Sequence, residues 1–182
     1  MEVAQELLGK LVVRILPDGE RLTGIIVETE AYVTGDPASH AFRGQTPRNA
    51  AMFKEGGHAY IYISYGIHAM LNLVTMPAGI GEAVLIRALE PVDGIDRMRE
   101  LRGGIEGKYT LTNGPGKLGQ ALALTVKNEN GLDITSRLSP LSVCPHDGQT
   151  FEIVTSTRIG LSVGVDQPWR FYIKGNRYVS KR

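Results

Sequence analysis

The sequence has only one cysteine, Cys144, among its 182 residues. A single thiol cannot form an internal disulfide, so a reducing compartment is expected. Residues 1–10 lack the basic start and the long apolar run of a secretion signal. No apolar run approaches the roughly 18 residues that a membrane span requires. These absences predict a cytoplasmic protein with no membrane partner.

The sequence also lacks an excess of charge. Its formal net charge is +1, which by itself does not indicate a nucleic-acid binder. The charge is uneven, because residues 149–182 hold six basic residues against two acidic ones, a local net charge of +4. The pattern leaves two interpretations open for this segment: a local basic surface or a solvated C-terminus.

No metal or cofactor motif is present. The four histidines show no H-E-x-x-H spacing, and one cysteine cannot make a thiolate site. The stretch Asn113–Lys117 superficially resembles a phosphate loop, but Leu118 stands where that motif requires Ser or Thr. We therefore expect no metal ion and no organic cofactor.

Short strands separated by turn residues dominate the pattern, with 22 glycines along the chain. The patterns predict helices over 2–9, 91–101 (with Asp93 as its N-cap) and 115–124. Strands are predicted over 11–16, 22–32, 59–64, 67–76, 82–89, 151–154 and 170–174. Closely spaced strands with few helices favour an α+β fold with a mainly antiparallel sheet, in a single domain spanning 1–182.

The segment from Glu28 to Asn72 concentrates chemistry-bearing residues. It contains four tyrosines, three histidines and two arginines, and its residues 33–57 form a predicted irregular loop. A loop of that length is commonly functional or locally packed. The mixture suits a pocket that holds a flat, electron-poor ring.

Glu28, Glu30 and Tyr32 share one face of a predicted strand, because side chains alternate along strands. One interpretation is a solvated strand face. Another is a general base for water beside an aromatic wall. Residues two apart on a strand lie about 6.6 Å apart, near the carboxylate spacing of inverting glycosidases, so a carbohydrate hydrolase is a further alternative.

Tyr60 and Tyr62 share a face of the next predicted strand, and Tyr65 falls at the tip of the hairpin that follows. Gly66 supplies the permissive backbone for the turn. An exposed tyrosine at a tip could act as a wedge between stacked bases. It could equally fold back onto its own sheet, and the pattern alone does not decide between the two.

Several sequence blocks, in order, resemble the alkyladenine DNA glycosylase family, also called 3-methyladenine or methylpurine DNA glycosylases. The resemblance runs over nearly the whole chain. Its specific blocks are Val27–Tyr32, Gln45–Asn49, Tyr60–Gly66, Arg87–Pro91 and Gly114–Leu118. The chain begins almost at its first predicted helix, so we expect no longer N-terminal extension.

This resemblance implies a curved antiparallel sheet with flanking helices and a projecting β-hairpin. It implies a monofunctional base excision repair enzyme that acts on double-stranded DNA as a monomer, near the nucleoid if the source is bacterial. The enzyme would flip an alkylated or deaminated purine out of the duplex and hydrolyse its N-glycosidic bond. Base flipping is how enzymes reach a base inside a duplex.

The resemblance also implies residue roles. Glu30 would deprotonate the attacking water, and Arg87 would help to order that water. Tyr65 would fill the gap that the flipped base leaves in the duplex.

The remaining implied roles concern the base pocket. Tyr32, Tyr62 and His40 would sandwich the flipped base, and Asn72 would crowd the amino group of normal guanine. Glu28 and Tyr60 receive no defined role. Two rival classes stay open: a non-catalytic nucleic-acid-binding module, since the family's sheet resembles an RNA-binding formyltransferase tail domain, and the carbohydrate hydrolase.

Overall fold

The computed structural model describes residues 1–146 and 150–181. Its strands are β1 (Leu11–Ile15), β2 (Arg21–Tyr32), β3 (Ala59–Ser64), β4 (His68–Val74), β5 (Ala83–Asp93), β6 (Leu141–Cys144), β7 (Ile153–Ser156) and β8 (Arg170–Ile173). Its α-helices are α1 (Glu2–Glu6), α2 (Ile95–Leu101), α3 (Pro115–Ala121) and α4 (Val126–Glu129), and short 3-10 helices cover Ala50–Phe53 and Lys108–Thr110.

The eight strands form one antiparallel sheet around the long central strand β2. The main order is β3-β4-β5-β2-β1-β6. One edge of β2 is divided, because β1 pairs with residues 21–25 and β8 pairs with residues 28–30. The β2–β5 register also shifts around Glu28, and such bulges bend and twist a strand. The expected α+β fold with a curved, mainly antiparallel sheet is confirmed.

The core has two parts. The larger cluster packs α1, α2 and α3 against the sheet, with fully buried side chains such as Ile26, Met98 and Leu118. The smaller cluster surrounds the buried Tyr60 and Met52, with Tyr32 and Tyr62 partly buried against it. Residues of this second cluster also line the candidate site.

The helix predicted over 91–101 is wrong in its first turn. Pro91 pairs with Gly24 as part of β5, and α2 begins at Ile95 after Gly94, whose φ is +71°. The Asp93 carboxylate does not cap the helix, since it accepts a hydrogen bond from Thr23 Oγ1 at 3.0 Å and pairs with an arginine of β2. Cross-strand pairing therefore overrides a local helix signal here.

The other predicted elements are present, the strand over 59–64 with its predicted bounds and the rest with shifted ends. The first helix ends at Glu6 and the third at Ala121, both earlier than predicted. Proline does occupy the first turn of α3, as expected. Across residues 1–146 and 150–181, no helix has the length and apolar character needed to cross a membrane.

Candidate active site

An aromatic cavity lies where β2, β3, β4 and the loop after β2 meet. The space between its walls is about 420 Å³, a figure that includes open solvent at its mouth. Its lining residues are Tyr32, Ala38, His40, Met52, Tyr60, Tyr62, Asn72 and Leu161. The structure thus brings together all four residues that the sequence assigned to a base pocket.

Glu30 lies behind the Tyr32 wall and is fully buried. Its Oε2 accepts a hydrogen bond from the Tyr32 hydroxyl at 2.9 Å. Its Oε1 accepts one from the backbone N–H of Ile159 at 2.8 Å and lies 3.0 Å from Arg87 Nη1. The interpretation of this strand face as solvated is therefore wrong. Glu30 and Arg87 form a direct ion pair.

The environment of Glu30 moves its pKa in the direction that a general base requires. Burial raises the pKa of the Glu30 carboxyl above its ordinary value of 4.5, while the Arg87 guanidinium, the Ile159 N–H and the Tyr32 hydroxyl oppose that rise. Desolvation disfavours the charged form, and donors favour it. The result is a carboxylate that gains basicity while staying oriented.

Glu28 differs from Glu30, although the two residues are one strand step apart. Its Oε1 accepts from Arg87 Nε, Arg170 Nη1 and Ser180 Oγ, at 2.9 to 3.0 Å, and its Oε2 accepts from Ser180 N at 2.7 Å. Both carboxylates are fully buried and neither lines the cavity, but Glu30 bonds to a cavity-lining residue, Tyr32, whereas the donors around Glu28 all lie outside the lining. A carbohydrate hydrolase needs two carboxylates facing its substrate, so this geometry does not support one.

Three aromatic rings interlock to form one wall of the cavity. His40 Nδ1 lies 2.8 Å from the Tyr60 hydroxyl. The His40 and Tyr62 rings meet edge to face with centroids 4.4 Å apart, and the Tyr60 and Tyr62 centroids are 5.7 Å apart. Edge-to-face and tilted contacts of this kind stabilise aromatic clusters. Tyr60, which the sequence left without a role, therefore holds His40 in place.

The protonation states of this wall follow from its surroundings. Partial desolvation, and then the Arg48 guanidinium, lower the pKa of His40 below its ordinary 6.5. Burial, with Tyr62 nearby, raises the pKa of Tyr60. His40 is therefore neutral at pH 7 and the Tyr60 hydroxyl stays protonated, and the direction of the hydrogen bond between them follows the tautomer of His40.

Asn72 presents a fixed amide to the cavity. Its Nδ2 donates to the backbone carbonyls of Tyr60 at 3.1 Å and Met70 at 3.2 Å. The side chain is buried and lines the cavity. Two carbonyl partners on Nδ2 fix which way the amide is turned, so its Oδ1 is held in one orientation.

Arg158 is part of the site, and sequence reasoning missed it. It lies under the Tyr32 ring, with Cζ 4.7 Å from the centroid, and also stacks on Trp169. It pairs through two nitrogens with the buried Asp36 and donates to Ala31 O at 3.1 Å. Planar guanidinium groups suit such stacked, paired positions.

Two basic residues of segment 149–182 contribute neither to a local basic surface nor to a solvated C-terminus, the two interpretations left open by its charge. Arg158 and Arg170 are both buried in ion pairs, with Asp36 and Glu28 respectively. The signal in the sequence for the burial of these arginines is the apolar character of their neighbours, as in the stretch from Trp169 to Ile173.

The tip of the β3–β4 hairpin projects away from the core. Tyr65 is 89% exposed and adopts a left-handed backbone conformation with φ +51°, followed by Gly66 at φ +76°. The folded-back interpretation of this tyrosine is therefore wrong. Tyr65 lies three positions after Tyr62, so the tip is about 10 Å from the cavity along the strand.

The stretch that resembles a phosphate loop has a structural explanation, and the described residues group no metal ligands. Among residues 1–146 and 150–181, no three His, Cys, Asp or Glu side chains are grouped so that they could hold a metal ion. Within Asn113–Lys117, Lys117 Nζ donates to Asn113 Oδ1 at 2.7 Å. That stretch is the start of helix α3.

Comparisons with known proteins identify the family of this chain. The family model described as methylpurine-DNA glycosylase matches residues 1–177. A protein of Mesorhizobium japonicum is 49% identical over 98% of this chain and 84% of its own length. Proteins of Carboxydothermus hydrogenoformans and Methanoculleus marisnigri are each 49% identical over 99% of this chain and 93% of their own lengths. All three carry the name "Putative 3-methyladenine DNA glycosylase". The chain belongs to the methylpurine-DNA glycosylase family.

Proposed function

We propose that this chain is a DNA glycosylase that removes alkylated purines, 3-methyladenine among them, from double-stranded DNA. The observation that carries the proposal is Glu30, a buried carboxylate with a raised pKa, which Arg87 and Tyr32 hold directly behind the Tyr32 wall of an aromatic cavity. The names of the relatives support the same substrate.

The cavity suits an alkylated base. Alkylation at N3 or N7 makes a purine cationic, and the negative faces of tyrosine rings attract cations, by about 1–2 kcal/mol when the pair is desolvated. Tyr32, Tyr62 and His40 supply the faces and edges that would hold this ring. Asn72 lies in the same cavity and would reject guanine by crowding its amino group.

The reaction that we propose is hydrolysis of the bond between C1′ of the sugar and the purine nitrogen. That bond breaks with its electron pair going to the base, which leaves as a neutral purine. Water adds to C1′ and gives its proton to Glu30, while Arg87 orients the carboxylate. A nearby carboxylate also stabilises the positive charge that develops on the sugar.

Tyr65 would act on the DNA rather than on the chemistry. Flipping a base leaves a gap in the stack, and an inserted apolar side chain offsets part of the unstacking cost of a few kcal/mol. Tyr65 is exposed at a projecting tip, which suits insertion. One copy of the chain carries both the cavity and the tip, so we propose that it acts as a monomer.

We propose that the product is an abasic site in an uncut strand. Glycosylases that cut the strand use an amine to form a Schiff base with the opened sugar. Water activated by Glu30 leaves no covalent intermediate, so the enzyme would be monofunctional.

The direct test is incubation of the wild-type protein with methylated duplex DNA and chromatography of the released bases. We expect free 3-methyladenine with wild type and none with Glu30→Gln. Binding to the duplex without any base release would favour the rival nucleic-acid-binding module. Release of sugars from oligosaccharides, with DNA untouched, would favour the carbohydrate hydrolase.

A further inference from the structure

We propose that Glu28 and Ser180 are positioning residues of this reaction, and that they fix the Arg87 guanidinium in the orientation that serves Glu30. The inference rests on the proposed glycosylase function. It adds a part of the molecule, the C-terminal segment 178–181, to the apparatus that aligns the catalytic carboxylate.

The Arg87 guanidinium is held on all three of its nitrogens. Nε donates to Glu28 Oε1 at 3.0 Å, Nη1 lies 3.0 Å from Glu30 Oε1, and Nη2 donates to Ser180 Oγ at 3.4 Å. A planar group fixed at three points cannot rotate about its own axis without breaking one of them. Its contact with Glu30 is therefore set by the other two.

Glu28 is the centre of this arrangement. Four donors surround its carboxylate: Arg87 Nε, Arg170 Nη1, Ser180 Oγ and Ser180 N. A carboxylate oxygen has about two acceptor sites, so the group is close to saturated and is badly placed to accept a proton from water. Its position does explain why Arg87 turns one edge to Glu28 and another to Glu30.

The C-terminal segment is docked on this cluster. Tyr178 and Val179 are buried, and the Lys181 carbonyl accepts from Arg170 Nη1 at 2.9 Å. Ser180 supplies both its backbone N–H and its hydroxyl to Glu28, from 152 residues further along the chain. Because the Ser180 hydroxyl bonds to both Glu28 and Arg87, this segment takes part in the cluster as well as covering the core.

The charges in the cluster balance, and the groups around Glu30 determine how its pKa responds to a substitution. Two carboxylates, Glu28 and Glu30, meet two guanidinium groups, Arg87 and Arg170. In the described part of the chain, the other titratable groups that act on Glu30 are the Tyr32 hydroxyl, on its own strand, and the phenol of Tyr62 on β3. Arg158 lies behind Tyr32 and is neutralised by Asp36.

Ser180→Ala is the informative variant, because it removes one hydroxyl and leaves every charge and the backbone donor in place. Arg87 Nη2 would then lose its hydrogen bond to Ser180 Oγ. Glu28 would lose the hydroxyl as one of its donors. We expect the single-turnover excision rate to fall about 10-fold, since small misplacements of catalytic groups have effects of this order. We expect the affinity for uncut damaged duplex to stay the same.

The pH profile separates positioning from a merely structural role. Arg87 favours the ionised form of Glu30, so a less restrained Arg87 raises the pKa of Glu30 and moves the acid-side inflection of the rate to higher pH. A structural defect would lower the amount of folded protein without moving this inflection. Ser180→Thr keeps a hydroxyl and should restore both rate and inflection.

The matched control is Ser142→Ala, a serine in β6 that pairs with Val13 far from the cluster. It should leave the rate unchanged. A Ser180→Ala protein with the wild-type rate and inflection would overturn the inference. Failure of the wild-type protein to release any base would instead overturn the proposed function, so the two outcomes are distinct.

Glu28→Gln provides a second measurement that does not depend on Ser180. It keeps the shape but removes one negative charge, so we expect at least a 10-fold loss of rate with intact binding to damaged duplex. Circular dichroism checks that the variant folds. A folded Glu28→Gln protein that excises at the wild-type rate would also overturn the inference.

Discussion

The two ends of the β3–β4 hairpin differ in almost every physical respect. At the inner end, Tyr60 is buried, bonded to His40 and paired across the sheet with Asn72. At the outer end, Tyr65 is 89% exposed and lies in the turn that it forms with Gly66. The same two strands therefore carry a rigid, interlocked region and a free tip.

This difference indicates a division of labour. Catalytic groups need fixed geometry, which a buried network supplies. A wedge needs access to the duplex, which burial would prevent. We therefore expect changes at the inner end to act on bond cleavage and changes at the tip to act on base flipping.

The largest expected effect is that of Glu30→Gln at the inner end. The amide keeps the shape of the side chain but is no base, and general-base catalysis contributes roughly 10²- to 10⁴-fold. We predict loss of excision by roughly 10²- to 10⁴-fold, measured by single-turnover base release, with binding to damaged duplex retained. Glu152→Gln, in an exposed ion pair with Lys174, is the matched control. A wild-type excision rate in Glu30→Gln would mean that another residue is the general base.

Tyr65→Ala tests the other end of the comparison. Loss of the aromatic wedge removes apolar surface that replaces the extruded base, so we predict about a 10-fold weaker flipping equilibrium. Fluorescence of 2-aminopurine beside the lesion reports the flip, and nonspecific binding should change little. Leu138→Ala, an equally exposed apolar residue elsewhere, is the control. An unchanged flipping signal would return Tyr65 to a role in the turn alone.

Asn72→Ser sharpens the account of the inner end by testing selectivity rather than rate. The smaller side chain would remove the clash with the guanine amino group, so we predict a gain of a few-fold in guanine release from undamaged DNA, in line with one lost steric contact. Chromatography of released bases by both proteins measures it. No gain would place the exclusion of guanine elsewhere in the cavity.

Tyr32→Phe should shift the pH dependence in a defined direction. The Tyr32 hydroxyl donates to Glu30 and thereby lowers the pKa of that carboxyl, against the effect of burial. Removing it raises the pKa of Glu30 further, so the acid-side inflection of kcat/KM moves to higher pH. A profile with an unmoved inflection would mean that Glu30 does not control the rate.

The smallest expected effect is that of Lys54→Ala, which should leave base excision unchanged. Lys54 is the only lysine between Glu28 and Arg87; it is exposed, and its Nζ donates to Gly131 O. We predict that borohydride during turnover traps no protein–DNA adduct. An adduct that disappears in Lys54→Ala would make the enzyme bifunctional.

Local patterns predicted the parts of the site that lie close together in sequence. Strand alternation placed Glu30 and Tyr32 on one face, and the tyrosine spacing with Gly66 located the hairpin and its tip. These features depend on the backbone period of two and on turn chemistry, which are written in neighbouring residues.

Long-range partners could not be predicted in this way. Ile159 reaches Glu30 from 129 residues away and Ser180 reaches Glu28 from 152. No periodicity connects such positions, because only the folded sheet brings β8 and the C-terminal segment beside β2. The Asp93 cap failed for the same reason, since β2 pairing extends β5 through that residue.

The most direct test of the division of labour measures flipping and excision on the same lesion-bearing duplex for two variants side by side. We predict that Glu30→Gln flips the base with the wild-type amplitude and releases none. Tyr65→Ala should flip poorly but cleave each flipped base at the wild-type rate. Proportional loss of flipping and cleavage in both variants would contradict a separation between the buried end and the tip.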